Sequence, residues 1–259
     1  MHDRLTAHGG AAARPGAERT RPFLTAEWRE LAMLNYAIDP SVLQPLVPAG
    51  TELDQWNEIT YVSVVGFRFV HVRVLGLRVP AHTDFEEVNL RFYVRRHEGG
   101  AWRRGVVFIR ELVPRRAIAL MARLWYNEPY LALRMRHHME RGPDGAAAAV
   151  RYEWRRGGLW EGLEVQARGD AAPLATGSEA EFITEHYWGY TRQHDGSTIE
   201  YRVDHPRWRV WDTAGTRLDA DVRELYGAPF AEVLAGSPRS AFLAEGSPVT
   251  VFRPRRVKS

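Results

Sequence analysis

From Val88 to Arg96 the chain alternates, with Val88, Leu90, Phe92 and Val94 interleaved between Asn89, Arg91, Tyr93 and Arg95. Successive strand side chains point to opposite faces, so a period of two predicts a β-strand with an apolar face and a polar face. Gly99-Gly100 ends the run, and Trp102 to Leu112 supplies a partner strand across a hairpin. Ile59–Arg73, Leu131–His138, Ala147–Arg155, Leu163–Ala167, Thr198–Val203, Trp208–Thr213 and Val249–Phe252 read as further strands, rich in β-branched and aromatic residues. Helical signals are fewer. Asp39-Pro40 is an N-cap and first-turn pair for a short helix through Leu46. Arg115–Tyr126 has apolar residues at i, i+3, i+4 and i+7, and Ser178 caps a helix over Ala180–Tyr187. Ala220–Leu225 is a further short helix, and Phe23–Tyr36 has helical or mixed spacing. Many strands, few helices and no regular strand–helix–strand alternation predict an α+β fold that is predominantly antiparallel β.

At 259 residues, 45% hydrophobic and 26% charged, the chain has the composition of a globular protein with a substantial core. Residues 1–22, rich in Ala, Gly, Arg and His, are expected to form a disordered leader ahead of one domain over 23–257. The leader lacks the apolar stretch of a secretory signal, and no apolar run reaches the ~18 residues of a membrane span. A soluble, cytoplasmic protein is the expectation. There is no cysteine, which excludes disulfides and thiolate chemistry. Lys258 is the sole lysine among 35 basic residues. A Schiff base therefore has only a tail amine to draw on. A net charge of +3 does not point to nucleic acid.

Two segments carry candidate chemistry. Glu87, Asn89, Arg91 and Tyr93 follow one another on one strand face, which is a binding surface if it looks into an interior and a solvated one if it faces water. Arg123, Tyr126 and Tyr130 lie at the end of the predicted helix and beyond Pro129, where a terminal pack of aromatics is the plain alternative. With these, the ordered motifs "FEEVNLRFYV", "GVVFIRELV", "ARLWYNEPY", "EAEFITEHYWGY" and "VDHPRWRVW" resemble the bacterial domain-of-unknown-function 2071, or YqjF-like, family, over Trp28 to Val257. That family is related to acetoacetate decarboxylase. The resemblance implies a closed, cone-shaped β-barrel with a few outer helices and a small internal cavity. On the decarboxylase pattern Arg123 matches the arginine, Pro129 the proline before the nucleophilic lysine, and Tyr130 takes the lysine's place, while Leu124 replaces a glutamate. A tyrosine hydrogen-bonds a carbonyl or moves a proton but forms no imine.

The resulting expectation is a protein that binds a small carbonyl- or carboxylate-bearing molecule in a polar cavity. Tyr130, Glu87 and Arg123 are the candidates for non-imine proton transfer, as in a cyclisation, dehydration or isomerisation. Arg91, Tyr126, Asn89, His186 and His205 are the candidates for ligand binding. Both histidines sit among aromatics, where a packed core histidine is the commoner role. His137 and His138, adjacent in a strand, point apart. No metal-ligand spacing, phosphate loop, dinucleotide fingerprint or serine elbow occurs, so no metal and no cofactor are expected. A small molecule is the expected partner, with no nucleic acid and no membrane, and a homo-oligomer is left open. The alternative is a ligand-sensing or structural barrel without turnover.

Overall fold

The computed structural model describes residues 21–78, 83–114, 129–142 and 147–257. The strands are β1 (Pro22–Ala37), β2 (Glu52–Leu53), β3 (Gln55–Trp56), β4 (Ile59–Val74), β5 (Leu77–Arg78), β6 (Phe85–Glu98), β7 (Ala101–Pro114) and β8 (Tyr130–Arg141). They continue with β9 (Ala147–Arg156), β10 (Leu159–Pro173), β11 (Trp188–Arg192), β12 (Thr198–Asp204), β13 (Arg209–Asp219), β14 (Ser240–Phe252) and β15 (Arg255–Arg256). The helices are short: α1 (Pro40–Leu43), continued by a 3-10 turn over Gln44–Leu46, α2 (Glu179–Thr184), α3 (Val222–Tyr226) and α4 (Ala228–Ala235). The expected leader lies almost wholly outside the described residues, as does the helix expected over Arg115–Tyr126.

The fold is mostly β, as the alternation required. Hydrogen-bonded neighbours run β7–β8–β9–β10–β13–β14–β1–β4–β6 and return to β7, a ring of strands. A shorter circuit also closes, because β11 pairs β7, β12 pairs β11, and β12 pairs β14. The pairings are antiparallel except β7–β8 and β7–β11, which are parallel. The wall β14–β1–β4–β6–β7 is common to both circuits and is buried on both faces. On β6 that gives Val88, Leu90, Phe92 and Val94 to one apolar cluster, and Phe85 and Tyr93 to the other.

The segment Phe23–Tyr36 is a strand, not a helix, and its mixed spacing has a physical cause. The pairing with β4 slips between Arg29 and Ala32, with Glu30 at φ 52°. This bulge reverses the parity: Leu24 and Ala26 before it and Leu31 and Met33 after it face the same cluster. Gly246, opposite Arg29, takes φ 78°, and a Cβ there would lie 2.0 Å from the Trp28 carbonyl oxygen. Asp39 caps α1 by accepting from the Ser41 N–H, and Ser178 caps α2 by accepting from the Glu181 N–H, both as expected. Helix α2 stops at Thr184, three residues before the expected end at Tyr187. None of the described helices is long and apolar enough to cross a membrane.

Candidate functional site

The polar face of β6 does not meet water. Glu87 and Asn89 are 3% and 1% exposed, and with the half-buried Arg91 they line a cavity inside the shorter circuit of strands. Tyr130, His186 and His205 line the same cavity. Six residues singled out from the sequence are thus brought together, and the solvated reading of the Glu87–Tyr93 face is corrected. Arg123 and Tyr126 lie outside the described residues. Apart from Glu111 and Thr184, the remaining wall is aromatic and aliphatic, with Trp28, Phe67, Phe69, Phe108 and Trp208 prominent. The free space is about 60 Å3. At the ~10–15 Å3 that each water-sized group requires, it suits a ligand of roughly four to six such groups.

Strand register sets the lateral spacing. Asn89 on β6 pairs with Glu111 on β7, and Glu111 pairs with Tyr130 on β8, so the three stand side by side on adjacent strands. Glu111, 2% exposed, is the principal site residue that the sequence reading missed. Pairing counted back from the Gly99-Gly100 turn would set Arg110 opposite Asn89. A bulge between Leu90 and Arg91 on the β6 side leaves Ile109 without a partner and turns Glu111 inward instead. Val106 and Phe108 before the bulge and Glu111 after it all line the cavity, a phase reversal that no alternation rule signals. Tyr201 was missed as well. Its ring lies over its cross-strand partner Gly189, where a Cβ would meet it at 2.1 Å, so the glycine of "HYWGY" makes room for it.

The polar groups differ in how fully they are satisfied. Asn89 Nδ2 donates to Glu87 Oε1 at 3.0 Å, which fixes the amide orientation, and Asn89 Oδ1 has no hydrogen-bond partner. Arg91 donates through a terminal nitrogen to the Ile183 carbonyl at 3.4 Å, its Nε has no partner, and no carboxylate among the described residues pairs with it. His186 lies two residues beyond the end of α2, just after its C-cap Glu185. Its ring packs 4.6 Å from that of Tyr93 and 5.3 Å from that of Phe182. Burial, reinforced by the Arg104 guanidinium, lowers its pKa to about 3. His205 is stacked between Tyr187 at 4.8 Å and Trp208 at 4.5 Å, and its Nδ1 lies 3.0 Å from the Pro206 carbonyl. Burial lowers its pKa to about 4. Both imidazoles are therefore neutral at pH 7, and both are packed residues that also border the cavity. His137 and His138 go to different carboxylates, Glu86 and Glu153.

A family model for DUF2071, a family of uncharacterized conserved proteins, matches residues 25–248. The chain belongs to the DUF2071 family. One curated relative, the uncharacterized protein YqjF of Bacillus subtilis (strain 168), is 32% identical over 104 residues, which are 40% of this chain and 41% of YqjF. Solved structures similar to this DUF2071 chain include acetoacetate decarboxylase from Legionella pneumophila, with a TM-score of 0.63 at 15% identity over 98% of both chains. The enduracididine biosynthesis enzyme MppR complexed with pyruvate has a TM-score of 0.64 at 12% identity, over 94% of this chain and 93% of MppR. An acetoacetate decarboxylase-like enzyme from Sphingomonas wittichii RW1 has a TM-score of 0.58 at 16% identity, over 96% of this chain and all of that one. At such identities the likeness concerns the fold alone.

Proposed function

We propose that this DUF2071 protein binds a small carbonyl- or carboxylate-bearing molecule in the cavity and serves proton transfer on it without an imine. The observation that carries this reading is the buried polar face of β6, where Arg91 has no carboxylate partner among the described residues. A guanidinium in such a place suits a carboxylate held by two parallel hydrogen bonds. Tyr130, beside Glu111 across the β7–β8 pairing, and Glu87 are the groups for donating to a carbonyl oxygen and moving a proton. Arg123 and Tyr126 enter the same proposal through the segment that leads into Tyr130. The two closed circuits of strands are read as the walls of a closed, cone-shaped barrel.

The chemistry of the residues argues against an imine mechanism. No lysine precedes Lys258, so no lysine amine is supplied by any strand or helix among the described residues. That MppR has been captured with pyruvate and with a condensation product of pyruvate and imidazole 4-carboxaldehyde supports small oxo acids as the class to try first. Calorimetric titration with acetate, pyruvate and DL-lactate tests the proposal. At least one acid is expected to bind, Arg91→Met to weaken it by about 2 kcal/mol, as loss of a charged hydrogen bond does, and borohydride to trap no adduct. Absence of binding by all three acids, or binding indifferent to Arg91→Met, overturns it.

A further inference from the structure

His186 is held from behind by an ion pair that faces away from the cavity. Its Nε2 lies 3.5 Å from Asp54 Oδ2, and Arg104 Nε donates to the same oxygen at 2.6 Å. The side chains of His186 and Asp54 are interior, at 2% and 5% exposed, while Arg104 reaches them from a partly exposed position. The Asp54 carboxyl is desolvated, which alone would raise its pKa, but His186 and Arg104 outweigh this and hold it below the usual range. The groups packed about the imidazole are thus Asp54, Arg104 and Arg91, with the rings of Tyr93 and Phe182. Only one of the charged groups is an acceptor. A carboxylate beside Nε2 favours the tautomer with the proton on that nitrogen, as a second partner sets the tautomer of a histidine generally. Neither ring nitrogen makes a hydrogen bond, so the carboxylate 3.5 Å away acts on Nε2 as an ion-pair neighbour, and Nδ1 is then a bare lone pair without a donor.

A buried acceptor without a donor is costly, and the cavity contains a second one in Asn89 Oδ1, one strand repeat from Arg91. Arg91 supplies the converse, an unpartnered donor, and stands close enough to His186 that its charge helps keep the imidazole neutral. A ligand that completes this set offers an anionic group to Arg91 and a hydroxyl hydrogen to the neighbouring acceptors. Resting on the proposed use of the cavity for small acids, we infer that its preferred ligands are small 2-hydroxy acids, or the enol forms of 2-oxo acids, with the carboxylate on Arg91 and the hydroxyl donating to His186 Nδ1. Asp54 is a positioning residue that keeps that nitrogen an acceptor. A keto oxygen at the same place would face a lone pair.

The test compares DL-lactate with pyruvate, which differ at that oxygen. DL-lactate is expected to bind about tenfold more tightly than pyruvate, the ratio that the net contribution of one hydrogen bond gives. His186→Phe should abolish the preference, so that DL-lactate and pyruvate bind with constants within about threefold of each other, because the hydroxyl's acceptor is lost. A long-range proton–nitrogen spectrum of the unliganded protein should show His186 neutral at pH 7 with Nε2 protonated, and Asp54→Asn should disturb that tautomer. Pyruvate binding as tightly as lactate, a preference that survives His186→Phe, or a proton on Nδ1 each overturns the inference and leaves the cavity's general role standing. If neither binds while acetate does, this inference alone falls; if none of the three acids binds, the proposed function falls and this inference with it. The tautomer measurement on the unsubstituted protein tests the Asp54–His186 arrangement even where a variant fails to fold.

Discussion

Asn35 on β1 and Asn89 on β6 are both essentially inaccessible, at 0% and 1% exposure, yet their amides are treated differently. Asn35 sits in register between Ser63 and Ser240 on the strands to either side. Its Oδ1 accepts from the Ser63 hydroxyl at 2.7 Å, its Nδ2 donates to the Ser240 hydroxyl at 3.1 Å, and the Tyr93 hydroxyl in turn donates to Ser63 at 2.7 Å. Asn89 is satisfied on one side only, by Glu87. The first arrangement is complete without any ligand and ties β14, β1, β4 and β6 together. The second leaves an acceptor facing a ring of polar groups around free space. Buried polarity thus serves structure where it is saturated, and recognition where a valence is left over.

Acid should separate the two regions most strongly. The folded pKa of His186 is about 3 against an ordinary 6.5, so between those values the unfolded chain binds the extra proton. Stability contributed by this histidine is complete above pH 6.5 and is lost as pH falls toward 3, with a slope of about 1.4 kcal/mol per pH unit. His205 acts in the same direction, down to about pH 4. Urea unfolding followed from pH 4 to 7 should show this slope reduced in His186→Phe. A slope unchanged by the substitution would break the distinction. The Asn35 network is built of amide and hydroxyl groups, with Ser240 donating in turn to Glu179.

At neutral pH the contrast becomes one between the asparagines. Asn35→Ala strands two buried hydroxyls and should cost about 2–3 kcal/mol in urea unfolding, whereas Asn89→Ala should cost less than about 1 kcal/mol. Equal losses would mean that Asn89 is as structural as Asn35. The smallest effect is expected of the tyrosines. Tyr93→Phe removes the donor to Ser63 and should lower stability by about 1 kcal/mol, while Tyr130→Phe should leave folding nearly unchanged and weaken ligand binding by roughly 0.5–1.5 kcal/mol. Calorimetric titration beside a thermal melt on both variants distinguishes these outcomes.

Much of the architecture was legible because it rests on short-range rules. The period of two over Val88–Arg96, the Gly99-Gly100 turn and the caps at Asp39 and Ser178 each act within a few residues, and each is present where it was expected. The polar row Glu87, Asn89, Arg91 was equally visible as a row. What it faced was not, since a strand with alternating sides is compatible with water or with an interior until the other strands are in place. The early end of α2 at Thr184, beyond which His186 packs against Tyr93 and lines the cavity, was not legible from helix propensity either.

Sequence alone therefore determined the strand-rich α+β character, the polar face of β6, the family likeness and the lack of any lysine before Lys258 for imine chemistry, all of which are properties of residue type and spacing. Tertiary structure decided which polar residues meet. The bulges at Glu30 in β1 and at Ile109 in β7 each add one residue to a strand, and one residue is enough to exchange inside for outside. That exchange brings Glu111 beside Asn89 and Tyr130 and keeps Arg110 from the same place. A bulge depends on the register between strands and on the space a partner such as Gly246 leaves, a balance set by contacts distant in sequence, which no local pattern records.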